Sequence, residues 1–95
     1  FKWERLQPTL KGALSTTDQQ ALRDVVDYAT GKGLVVVLDM HNYGQRWTGV
    51  NYNKPVQIGK SPAFVDTLVD GWAKIANEYK TNDKVWLGLM NEPNT

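Results

Sequence analysis

Hydrophobic and polar positions run along this chain in blocks whose period changes from one segment to the next. Phe1 to Pro8 reads as the tail of a strand and the loop after it, with Trp3, Glu4, Arg5 and Gln7 forming a dense polar and aromatic group. Gly12 to Thr17 is a turn. Thr16 or Thr17 is placed to cap a helix, with Gln19 or Gln20 three residues on completing a capping box, and Asp18 suits the first-turn dipole. Leu22, Val25, Val26 and Ala29 then recur at helical spacing, and Gly31-Lys32-Gly33 ends the helix. Leu34 to Met40 is an unbroken apolar run with a β-branched centre, which predicts a strand covered on both faces. Gly44 to Ser61 is a long polar loop. Ser61-Pro62 opens a second helix, whose stripe of Val65, Leu68, Val69, Trp72, Ile75, Ala76 and Tyr79 places Trp72 in the core. Lys80 to Lys84 is a polar turn, and Val85 to Met90 is a second apolar run ended by Asn91-Glu92-Pro93. Strand end, helix, strand, loop, helix, strand is the alternation of right-handed βαβ units, so the expected class is α/β with a parallel sheet.

Composition narrows the functional classes. The sequence has 95 residues, short for a self-contained α/β enzyme, begins at Phe1 with no signal peptide, and reads as though cut from a longer chain. Its net charge is +1 with no basic cluster, which argues against nucleic acid or an anionic membrane as partner. No apolar run approaches the ~20 residues that span a bilayer. There is no cysteine, so disulfides and thiolate metal sites are excluded, and the single histidine offers no second imidazole for a zinc or iron set. Neither GxGxxG nor GxxxxGK follows a strand, which disfavours a nucleotide cofactor. No cofactor and no metal is expected.

The candidate chemistry sits at the strand ends. Proline at position 93 stops the second run, so Asn91 and Glu92 fall at its carboxyl end, the edge of a parallel sheet where ligands bind. Glu92, walled by Trp86 and Met90, would become a proton donor if burial raises its pKa; the alternative is a solvated loop acid. Strand parity puts Val35, Val37, Asp39 and His41 on one face, and Leu38, Met40 and Asn42 on the other. A charge at Asp39 needs a partner, an arginine or a histidine. His41 is either a hydrogen-bonded structural residue or part of a site, and it occupies the same relative place past its strand as Asn91-Glu92 does. Trp47 and Tyr52, on the long loop, either stack against a ligand or tuck under and anchor the loop.

Three segments together, Trp3-Glu4-Arg5-Leu6-Gln7-Pro8, Leu38-Asp39-Met40-His41-Asn42-Tyr43 and Gly88-Leu89-Met90-Asn91-Glu92-Pro93, resemble the part of a family 5 glycoside hydrolase from its second to its fourth barrel strand, the cellulase or endo-β-1,4-glucanase type. The resemblance spans the whole chain. It implies a partial (β/α)8 TIM barrel, residues 1–95 being about a third of a single catalytic domain whose barrel runs to about 250 residues.

The resemblance also implies roles. Glu92 matches the general acid/base of a retaining double displacement, Asn91 the neighbour that binds the sugar 2-hydroxyl, and His41 the histidine in the substrate cleft. Tyr43 and Trp47 fall where cleft loops contact glucose units. The family arginine that precedes this region is absent, since the chain starts at the last residue of its motif, and Arg5 does not replace it. The nucleophilic glutamate is also absent; Asp39 lies too deep and Glu4 sits on the first loop. The expected activity is hydrolysis of β-1,4 bonds in cellulose or a related β-glucan by a secreted, extracellular enzyme, with the isolated segment inactive. Glucan, mannan and xylan remain open. The rival classes are a non-catalytic carbohydrate-binding module and a structural, flavodoxin-like α/β domain.

Overall fold

The computed structural model describes residues 1–47, 55–60 and 62–93. Its elements, in chain order, are α1 (Trp3–Leu6), α2 (Thr16–Gly31), β1 (Val36–Asp39), β2 (Gln45–Arg46), β3 (Val56–Gln57), α3 (Pro62–Tyr79) and β4 (Val85–Gly88). β1 and β4 pair in parallel, in the register Val36↔Val85, Val37↔Trp86, Leu38↔Leu87 and Asp39↔Gly88. Phe1 adds a rung on the other side of β1: its N–H donates to the Asp39 carbonyl at 2.8 Å, and the His41 N–H donates to the Phe1 carbonyl at 2.8 Å. The parallel α/β arrangement expected from the alternation of elements is observed.

Local chemistry sets the element ends. Ser15, not Thr16 or Thr17, caps α2: its hydroxyl accepts from the Asp18 N–H at 3.3 Å and donates to the Asp18 carboxylate at 3.1 Å. The cap is thus one residue earlier than the sequence suggested, and no capping box closes it: the Ser15 N–H donates to Leu6 O at 2.7 Å instead of to a side chain at position 18. At the other end Gly33, at φ 86°, closes a Schellman motif: Leu34 N–H reaches Ala29 O at 3.1 Å and Gly33 N–H reaches Thr30 O at 3.0 Å. α3 starts at Pro62 as expected, while the anticipated cap Ser61 lies outside the described residues.

The first segment departs from expectation. Only Phe1 behaves as a strand tail. Trp3 to Leu6 is a helical turn rather than a loop, and Trp3 and Gln7 are fully buried. The turn is held from within: the Trp3 indole N–H donates to the Gln7 side-chain oxygen at 2.7 Å, and the Gln7 amide donates to Asp70 on α3 and to Gly12 O, both at 2.9 Å. Lys74 completes the knot, bonding Asp70 at 2.8 Å. The bonds from Lys74 and Gln7 hold the Asp70 carboxyl below the usual carboxylate range.

The core lies on one side of the β1–β4 sheet. Leu38 and Met40 meet Val26 of α2, Trp72, Ile75 and Tyr79 of α3, and Trp3 and Leu6 of α1. Trp72 is in the core as anticipated, and its indole N–H donates to Leu89 O at 2.9 Å. The second face of the strands is not covered: Val37 is 57% and Trp86 60% exposed. The expectation of strands buried on both sides therefore fails among the described residues, because helices pack against one face only. The long polar segment after Gly44 is not wholly loop either, since β2 and β3 form a short antiparallel ladder.

Candidate active site

The site is assembled where β1 and β4 run out. The ladder between them continues past both ends: the Met40 N–H donates to Gly88 O at 3.2 Å and the Asn91 N–H to Met40 O at 2.9 Å. This extra rung sets Asn91 beside His41, with the Asn91 amide nitrogen 3.5 Å from His41 Nε2. Asp39 and His41 share a face, as strand parity requires, and His41 Nδ1 lies 2.9 Å from the Asp39 carboxylate. The Asp39 carboxylate selects the tautomer with a proton on Nδ1, which leaves Nε2 as an acceptor. The Tyr43 hydroxyl, 3.0 Å away, is positioned to donate to it. Asp39, His41, Tyr43 and Asn91 thus form one polar line across the carboxyl edge of the sheet.

Two residues of this edge carry unfavourable backbone geometry. Tyr43 has φ 55° and Glu92 φ 38°, both in the left-handed region. Such conformations cost of order 1–3 kcal/mol and persist where the surroundings over-determine them. Of the two environments the sequence leaves open for Glu92, it has the solvated one. It is exposed, makes no hydrogen bond among the described residues, and is not enclosed by Trp86, itself largely exposed.

A second feature adjoins the line. A cleft of about 400 Å³ is lined by Lys2, Glu4, Arg5, Asn42, Tyr43, Gln45 and Trp47. Tyr43 and Trp47 therefore share a concave surface, and Trp47 is 42% exposed rather than tucked away. Tyr52, the other aromatic of this segment, lies outside the described residues. Glu92 and Asn91 do not line this cleft.

Near the cleft is a set of buried polar groups that one-dimensional patterning does not reveal. Arg46 has no solvent exposure; its guanidinium lies over the Trp3 ring at 4.5 Å and donates to Gln7 O at 2.6 Å and Pro8 O at 3.2 Å. Its Nε and Nη1 have no hydrogen-bond partner among the described residues. Burial pushes the Arg46 pKa down, and the nearby Glu4 carboxylate opposes that shift. Asn42 is also buried, accepting from the Trp3 N–H at 2.9 Å and donating to Glu4 at 2.9 Å and Gln45 O at 3.1 Å. Glu4 is not paired with Arg5, whose guanidinium instead approaches Asp18 at 3.8 Å. No group of three or more histidine or acidic side chains able to hold a metal is found among the described residues.

Comparison with known proteins decides the family. The family model described as Cellulase (glycosyl hydrolase family 5) matches residues 1–95. The chain belongs to glycoside hydrolase family 5. Among its relatives, the manganese dependent endoglucanase Eg5A of Phanerodontia chrysosporium is 33% identical over 95 residues, covering 98% of this chain and 23% of that protein. Endoglucanase EG-II of Hypocrea jecorina is 32% identical over 92 residues, covering 96% of this chain and 20% of that one. Among solved structures, endoglucanase Cel5A of Pseudomonas stutzeri superposes with a TM-score of 0.79 at 34% identity, covering 98% of this chain and 27% of the other. An endo-beta-1,4-glucanase from Xanthomonas axonopodis pv. citri, carrying a triple mutation, gives 0.81 at 36% identity, over 99% of this chain and 28% of its own. The family 5 chain therefore spans about a quarter of the length of the relatives it matches.

Proposed function

We propose that this family 5 chain is the section of a (β/α)8 endo-β-1,4-glucanase domain that carries the acid/base half of a retaining site. The observation that supports this most is the extra rung beyond β1 and β4, which sets Asn91 against His41 and so puts the Asn91-Glu92 pair at the edge already held by Asp39, His41 and Tyr43. In this reading Glu92 protonates the glycosidic oxygen as the bond to the anomeric carbon breaks, and then takes a proton from the water that releases the glycosyl-enzyme. Asn91 and His41 orient the sugar beside it. Tyr43 and Trp47 offer aromatic faces to glucose rings.

The nucleophile of such a reaction is a second carboxylate about 5–5.5 Å from the first. The acids nearest the site are otherwise engaged: Asp39 holds His41, and both oxygens of Glu4 accept hydrogen bonds from the fold. The partner carboxylate therefore comes from further chain, and the 95-residue segment alone is inactive. The substrate class is a β-1,4-glucan, a reading aided by the solved neighbour XacCel5A, whose structure was determined in complex with cellopentaose. Secretion is part of the same proposal and rests on the family likeness alone.

The test is Glu92→Gln in the full-length gene product, assayed on a soluble β-glucan. General acid–base groups contribute about 10²–10⁴-fold, so activity is expected to fall by at least a hundredfold. Retention of near-normal turnover would remove Glu92 from the mechanism. Glucan binding by a full-length protein that never turns over would instead favour a carbohydrate-binding module.

A further inference from the structure

The residue with the least obvious purpose near the site is Glu4. It is half-buried on α1, outside the polar line of Asp39, His41, Tyr43 and Asn91. Its two oxygens are divided between two different parts of the chain. One accepts from the Asn42 side chain at 2.9 Å, and the other from the backbone N–H of Trp47 at 2.9 Å. Asn42 in turn accepts from the Trp3 N–H and donates to Gln45 O. One carboxylate thereby ties α1, the segment after β1 and the end of β2 into a triangle that lines the cleft, with Trp47 as its aromatic corner.

We propose that Glu4 is a positioning residue for substrate, acting through Trp47. The inference rests on the reading of Trp47 as a sugar-stacking residue. An indole gives useful stacking only if its plane is held before the sugar arrives, since otherwise binding must include the cost of ordering it. Trp47 follows β2 directly, and its backbone N–H has Glu4 as its acceptor. The bond is charge-assisted, about twice as strong as a neutral one. Asn42 and Arg46 are buried, which holds the other corners, so the bond from Glu4 to the Trp47 N–H fixes the stretch of backbone from which the indole projects. The same carboxylate is the nearby negative charge favouring the buried Arg46 cation, a structural duty that the test must separate from positioning.

Glu4→Gln keeps the size of the side chain but turns one acceptor oxygen into a donor amide. Either Asn42 or Trp47 then loses its bond. The experiment compares the full-length wild type, E4Q, W47A and the E4Q/W47A double variant on cellopentaose, with melting temperatures recorded alongside. E4Q is expected to raise KM by about tenfold, the scale of one hydrogen bond to a charged group, with a much smaller change in kcat. In the W47A background the same substitution is expected to leave KM unchanged, because the group it acts through is gone. An equal rise in KM in both backgrounds would overturn the proposal, and so would a collapse of kcat or folding in E4Q with no rise in KM. If W47A itself leaves KM unaltered, the assignment of Trp47 falls and this inference with it. The acid/base reading fails separately, through an active E92Q enzyme.

Discussion

The pairing of Asp39 with His41 has the clearest local cause in the molecule. Alternation along β1 puts the two side chains on one face, and a 2.9 Å contact follows. An Asp39→Asn substitution keeps the shape but replaces the carboxylate with an amide that satisfies Nδ1 less strongly and no longer selects one tautomer by charge. We expect kcat/KM on cellopentaose to fall about tenfold in the full-length D39N enzyme, the equivalent of one hydrogen bond to an ionised group. Activity equal to wild type would make the pair dispensable. This contact was legible in advance because a period of two is a strict geometric rule. Arg46 was not. Arginine is almost never fully buried, and what buries this one is the Trp3 ring, contributed by a residue far away in sequence. For Glu92 the sequence left burial and solvation both open, and the structure has it solvated, because Trp86, expected as a wall, is itself largely exposed.

Elements with a long repeat were readable, and short ones were not. α2 and α3 announce themselves through apolar stripes of several turns. α1 has only four residues, too few for periodicity, and exists because its Trp3 and Gln7 bond each other and dock on α3. The docking requires Gly71. A Cβ there would stand 2.9 Å from the Trp3 indole nitrogen and 3.0 Å from the Gln7 oxygen. Alanine in a helix interior is ordinarily favoured over glycine by about 1 kcal/mol. Overpacking against two buried partners costs about 1–3 kcal/mol, and it strikes a hydrogen-bonded pair that cannot simply turn aside. With both partners held by hydrogen bonds, Gly71→Ala is therefore expected to lower stability by about 1 kcal/mol and at most about 2, read from urea unfolding of the full-length protein. An unchanged or raised midpoint would mean that α1 can lift from α3 without loss.

On the scale of the whole molecule, the apolar balance is uneven. Val35, Val37, Trp86 and Leu89 stay largely exposed, and β4 has a partner on one side only among the described residues. The alternation of elements foretold the parallel pairing correctly, but burial on both faces presupposed neighbours that the described residues do not supply. Unpaired strand edges beside bare apolar side chains favour association. The purified segment is expected to self-associate or to melt without a cooperative transition, as followed by size-exclusion chromatography and circular dichroism. A sharp thermal transition from a monomer would contradict this.

The register Val36↔Val85 joins positions roughly fifty residues apart in sequence. It therefore has a bearing on the order of events during synthesis. β1 leaves the ribosome before β4 and must wait for β2, β3, α3 and the turn at Lys80–Lys84 before that partner exists. Throughout that interval Leu34 to Leu38 is an unpaired, β-prone and uncharged stretch, so the time between the two strands, more than the strength of their final pairing, governs how much nascent chain is lost to aggregation.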